Sequence, residues 1–199
     1  MRDAISRDAR LALDLALTVR HDGDGGVADD LVEPSGLAGW VRAHADDLPC
    51  AVRYTVDAEI LAAVLELRAA VRALFARAVR PGEPSPADAR RLIPASEAVR
   101  RLNEAAARVP TVPVLDWPED TAPVLHRRST TTGGDLTADL AQAAITFLAS
   151  PERERLRACH APRCVRYFLK AHPRQEWCKP ACGNRARVAR HHERHRGAA

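Results

Sequence analysis

The feature that most constrains this chain is a quartet of cysteines crowded into one short stretch, Cys159-x4-Cys164 and Cys178-x3-Cys182, with positions 165–177 between the pairs. Two short loops that each offer two thiolates, joined by a chain that folds back, give the tetrahedral arrangement of a structural Zn2+ site. About 40 residues cannot bury enough apolar surface alone, so the metal is expected to supply much of this segment's folding energy. Pro162 lies inside the first pair and Pro180 inside the second, where both favour tight turns. Between the pairs, Val165, Tyr167 and Leu169 alternate with Arg166, Phe168 and Lys170. His172-Pro173-Arg174 reads as a turn, so the pattern predicts a β-hairpin in which residues 175–177 return against 165–170. Trp177 is expected to cover the metal together with Tyr167 or Phe168.

Beyond the fourth cysteine, Cys182-Gly183-Asn184-Arg185 reads as the start of a helix. Gly183 would supply a permissive backbone and Asn184 the N-cap. At about 100° per residue, Arg187, Arg190, His191 and Arg194 share one face, and Arg185, Val188, Ala189 and His192 the other. The first face, with Lys179 nearby, is expected to meet solvent or phosphate. Arg185 is expected to turn toward the metal fold, where four thiolates and Zn2+ leave a negative charge to be balanced. Two other metal readings fail on spacing. His192-Glu193-Arg194-His195 is one position short of the H-E-x-x-H helix motif. Pairing Cys178 and Cys182 with His191 and His195 leaves only positions 183–190 between the pairs, fewer than the roughly 12 residues of a classical finger, and orphans Cys159 and Cys164.

Charge follows the same division. From position 151 onward there are 13 Arg and Lys against 4 Asp and Glu, while positions 1–150 hold 17 against 22. An acidic body with a basic tail points to an anionic partner for the tail. The body itself reads as mainly helical, with a short β-hairpin. Helices are expected over residues 7–20, from a Ser35 N-cap through Trp40 and His44 to a stop at Pro49, over 58–79 behind an Asp57 cap, from Ser85-Pro86, after Pro94 to about 108, and over 136–149. Residues 112–115 and 124–128 read as two short strands, with loops at 21–26 and a turn at Gly133-Gly134. A short charged helix from Ser150-Pro151 then leads to Cys159. Cys50 stands alone and reads as a small buried hydrophobe. The fold class is therefore an α+β domain over residues 1–150, followed over 151–199 by a small treble-clef-like zinc module of hairpin plus helix.

Several function classes fall away. No apolar run approaches the roughly 18 residues of a membrane span, and no signal-peptide core is visible. A cytoplasmic protein is expected, where paired cysteines are metal ligands before they are disulfides. No nucleophile triad, phosphate loop or open three-ligand zinc site is present, so an enzyme is not expected and no catalytic residue is assigned.

The run W-C-x3-C-G-N-R-A-R-V-A-R-H, preceded by C-x4-C, resembles the CGNR zinc finger of bacterial proteins that carry an N-terminal ABATE domain and are described as stress-induced transcription regulators. The resemblance covers about residues 151–196 and implies zinc on Cys159, Cys164, Cys178 and Cys182, with DNA bound by the tail. The family commonly has one more residue between the last two cysteines. Upstream, Leu13-Asp14-Leu15-Ala16-Leu17-Thr18 is similar to the family's A-L-D-[hydrophobic]-V-N-T segment, with Leu17 in the asparagine's place. The implied first domain senses a small-molecule effector or forms a homodimer. The alternative is a zinc-stabilised RNA-binding or protein-interaction module, with Tyr167 and Phe168 stacking on bases.

Overall fold

The computed structural model describes residues 5–22, 26–48, 54–88, 91–130 and 134–196. The elements are α1 (Arg7–Leu17), β1 (Val19–His21), β2 (Val27–Asp29), α2 (Pro34–Ala43), α3 (Ala58–Ala78), α4 (Ala95–Ala107), β3 (Thr111–Asp116), β4 (Val124–Ser129), α5 (Leu136–Ala149), β5 (Leu156–Ala158), β6 (Tyr167–Leu169) and α6 (Pro180–Arg196). The strands form three separate antiparallel pairs, β1–β2, β3–β4 and β5–β6. Helices therefore carry the fold. Pro49 and Cys50 lie outside the described residues, as does Gly133.

The long helix α3 is the axis of the core. Asp57 caps it by accepting a 2.8 Å bond from the Ile60 amide. Its apolar stripe of Leu61, Val64, Leu67, Val71, Leu74 and Phe75 is buried against α1, α4 and α5. Phe75 sits at the centre, edge-on to Phe147 of α5 at 5.6 Å and to Tyr167 of β6 at 5.4 Å. Leu156, Ala158, Tyr167 and Leu169 belong to this same apolar cluster, so the strands leading into and out of the first cysteine pair are part of the helical core. The change of composition near Ser150 coincides with no break in packing.

Four expectations are corrected, and one hairpin is added. Helix α1 stops at Leu17, because the Thr18 hydroxyl turns back to the Leu15 carbonyl (2.7 Å) and the β-branched Val19 enters a strand. The strands that flank the loop read at 21–26 were not expected: Val19–His21 and Val27–Asp29 pair as a hairpin, β1–β2, held to α3 by Arg68, which donates to both Asp29 carboxylate oxygens (2.6 and 2.5 Å) and to Thr18 Oγ1. Ser35 is not a cap: α2 starts one position earlier, on Pro34 at its first position, with Glu33 before it making no side-chain cap bond. Among the described residues the segment from Ser85-Pro86 forms a single tight turn, Pro86–Asp88, with the Ser85 and Asp88 side chains drawn into buried hydrogen bonds with Arg72. Residues 175–177 are not a strand. The partner of β6 is β5, with Leu156 opposite Leu169 and Ala158 opposite Tyr167. That pairing wins because it buries Leu156 and Leu169 together in the helical core.

Candidate metal centre and basic helix

The first cysteine pair sits in the loop between β5 and β6. The Cys159 amide donates to the Arg166 carbonyl and the Cys164 amide to the Ala161 carbonyl, both at 2.9 Å, closing a tight knuckle. Arg163 turns it at φ 63°, in the left-handed region. The second pair belongs to α6: Cys178 precedes the helix and Cys182 lies in its first turn, its amide donating to the Lys179 carbonyl at 3.0 Å. The helix begins at Pro180, where the missing N–H of proline has no cost. Asn184 is thus inside the helix rather than its cap, and its Oδ1 accepts from Arg187 Nη2 at 2.5 Å.

These elements bring all four sulfurs together, every Sγ within 4.8 Å of the others. The Cys164–Cys178 and Cys178–Cys182 separations are 3.7 and 3.5 Å. A tetrahedron with Zn–S bonds of about 2.3 Å has edges of about 3.8 Å, so the donor set and its spacing both fit Zn2+. Four thiols this close cannot all ionise by themselves. Hydrogen bonds from Cys164 and Cys178 hold Cys159 far below the ordinary thiol range, while Cys164 is pushed up to about 11, first by its bond to Cys159, and Cys178 is pushed up for the same reason. A divalent cation at the centre removes that conflict and lets all four bind as thiolates.

The surroundings are divided by strand alternation. Phe168 points to the cysteines and is buried with Cys159, Ala161, Cys164 and Cys182, while half-buried Trp177 and Cys178 close the cluster. Tyr167 points the opposite way, fully buried against Phe75. Trp177 and Phe168 cover the cysteine cluster; Tyr167 does not. Gly183 is set by close packing rather than by backbone freedom: a Cβ there would lie 3.0 Å from Trp177 Cδ1, so a side chain would press on the indole. Arg185 reaches back to donate to Cys182 Sγ at 3.1 Å, which places a guanidinium beside the thiolates.

A second cluster, invisible in the cysteine spacing, fastens this module to the helices. Tyr167 donates its hydroxyl to Asp88 Oδ2 (2.6 Å), and Arg72 Nε donates to Asp88 Oδ1 (2.7 Å). Arg72 also donates to the Ala16 carbonyl (2.5 Å), and its guanidinium lies 5.3 Å from the Tyr167 ring centroid. Ser85 accepts from Arg72 and donates to the Val165 carbonyl (2.8 Å). Burial, and then the charge of Asp88, push the Tyr167 phenol well above its ordinary range, which keeps it a donor. The signal for this clasp was two arginines, Arg68 and Arg72, one helical turn apart on the apolar face of α3. The family-like segment feeds the same region: Thr18 accepts from Arg68, Ala16 from Arg72, and Asp14 faces His44 Nε2 at 3.3 Å. Leu17, in the asparagine's place, is half-buried.

The remainder of α6 is a basic surface. Arg187, Arg190, His191 and Arg194 line one shallow exposed face together with Val188 and Glu193. Val188, expected on the opposite side, is 56% exposed and shares this face, because the surface spans more than half the helix circumference. Arg190 and Arg194 fold back along the helix toward the carbonyls one turn earlier. Lys179 is exposed at the other end, beside Cys178.

A family model described as "Putative stress-induced transcription regulator", ABATE, matches residues 9–151, and the model of the CGNR zinc finger matches residues 155–195. No curated protein matches the chain. Among the described residues no helix is long and apolar enough to cross a membrane. The first match spans most of the chain and the second contains the four clustered sulfurs, and so the protein belongs to the ABATE family and carries a zinc-binding CGNR finger after that domain.

Proposed function

We propose that this protein is a zinc-dependent DNA-binding transcription regulator whose helix α6 contacts DNA. One observation carries the reading: a rigid metal centre anchors the first turn of α6, and the helix leaves it with Arg187, Arg190, His191 and Arg194 on a single exposed face. A helix held this way can lie in the major groove, with its arginines on phosphates and base edges. Lys179 adds positive charge at the base of the helix. The acidic first domain supplies control. A polar cavity of about 530 Å³, lined by Ser6, Arg7, Asp8, His126, Asp139 and Gln142 among others, has the size and polarity of an effector site.

The RNA alternative loses its stacking platform, since Tyr167 is fully buried and Phe168 is only 6% exposed. Selection from a random duplex pool tests the proposal. The zinc-loaded chain should enrich a sequence motif, and Arg187→Ala/Arg190→Ala/Arg194→Ala should not. No enrichment by the wild-type chain, beside binding to RNA or to a protein partner, would overturn it.

A further inference from the structure

Two surface features are each incomplete and match one another. The β3–β4 hairpin is fully paired from Thr111–Ser129 to Asp116–Val124, and among the described residues only Leu125, His126 and Arg127 of β4 face α1 and α5, across the open cavity described above, which leaves the tip uncovered. An isolated two-stranded hairpin is marginally stable at best in water. Its outer end nevertheless displays large apolar side chains: cross-strand partners Leu115 and Leu125 are each 65% exposed, and Trp117 is 67% exposed. Glu119 and Asp120 stand at the same end, with no ion-pair partner among the described residues.

The second feature is a groove of about 510 Å³ between α3, α4 and α5, roomy enough for an indole and a leucyl side chain. Leu74, Val99, Leu102 and Leu148 make it apolar, and exposed Arg77 and Arg153 flank it. Neither arginine has a carboxylate partner among the described residues. An apolar tip edged by carboxylates and an apolar groove edged by guanidiniums are complementary in both shape class and charge.

We propose that the β3–β4 hairpin of one copy docks in the α3–α4–α5 groove of a second copy. Trp117 and Leu115 fill the apolar floor, and Glu119 and Asp120 face Arg77 and Arg153. Reciprocal exchange makes the contact twice in a closed two-fold dimer, which also covers the exposed tip of the hairpin. Glu119 and Asp120 make the tip acidic, while Arg127 and Arg128 lie toward the other end of β4.

Sedimentation of the zinc-loaded full chain over a range of concentrations tests this. The wild type should dimerise. Trp117→Asp on the hairpin and Val99→Glu in the groove, both at exposed positions, should each raise the dimer dissociation constant by about tenfold or more, with helical signal and zinc content unchanged. Glu119→Arg/Asp120→Arg should weaken the dimer, and adding Arg77→Glu/Arg153→Glu should restore it. A photo-cross-linker at position 117, in mixed isotopically light and heavy chains, should join light to heavy through α3, α4 or α5. A wild type that stays monomeric throughout, a dimer indifferent to both single variants, or cross-links only within one chain would overturn the proposal.

Discussion

Arg185 and Arg72 show how differently two arginines can be read. Arg185 was legible because helical phase places it opposite the exposed arginines, and its guanidinium does sit 3.1 Å from Cys182 Sγ. Groups that touch metal ligands from outside typically change metal affinity by about 10- to 100-fold when removed. Arg185→Ala should therefore lose zinc to a competing chelator at about tenfold lower chelator concentration, with Arg185→Lys intermediate. Arg72 was not legible in its role. Its partners Asp88 and Tyr167 lie far along the chain, Tyr167 in the zinc module itself, and no local pattern encodes so distant a pairing. Tyr167→Phe removes the donor to Asp88 and should cost about 1–3 kcal/mol in urea unfolding, because a buried carboxylate oxygen is left unpaired. It should also change the pH profile. The phenol's folded pKa is raised, so its favourable contribution is fully present below the unfolded value of about 10 and is lost as pH climbs above it. Wild-type stability should fall relative to the Phe variant across that alkaline window; parallel profiles would contradict the clasp.

At the scale of elements, local signals placed most of the helices and the exposed hairpin. The Asp57 cap, the period of α3, the short strands around Trp117 and the limits of α5 all follow from residues next to one another. Asp135 carries a local signal of the same kind: it caps α5 by accepting from the Ala138 amide (3.0 Å) and pairs with Arg108 at 2.8 Å. Asp135→Ala should cost about 1 kcal/mol, measurable as a lower denaturation midpoint with unchanged slope. The strand pairing in the zinc module failed for a different reason. β6 alternates correctly, but it is buried on both faces, Phe168 toward the sulfurs and Tyr167 toward α3. Alternation then identifies a strand without identifying its neighbour. The neighbour was chosen by Leu156, whose side chain has the helical core to enter, whereas residues 175–177 have only the metal cluster beside them. Likewise, Asn184 is a good cap residue, but Pro180 was the stronger start signal.

For the whole molecule, the cysteine spacing revealed the metal centre and the charge asymmetry revealed the basic tail. Neither disclosed that the two parts share a core. Phe75 meets Tyr167, and Leu156 and Leu169 complete the apolar cluster of the first domain. Removing zinc should therefore do more than melt the cysteine module. Chelation should lower the thermal midpoint of α1 and α3–α5 with the module, in one cooperative transition. Two separated transitions, with the first domain unaffected, would contradict the shared core. A truncation after Ser150 should expose Phe75 and destabilise what remains, so point substitutions on α6 separate DNA contact from folding better than deletion does.

The most direct test is the salt dependence of duplex DNA affinity for the zinc-loaded chain and for Arg187→Ala/Arg190→Ala/Arg194→Ala, measured on the selected sequence with zinc content and helical signal matched. Each lost phosphate contact should flatten the log–log slope by about 0.9. The account predicts a steep wild-type slope, weaker binding by the triple variant, and a slope shallower by about 2 to 3. Equal affinities and equal slopes for the two proteins would show that α6 does not hold the DNA.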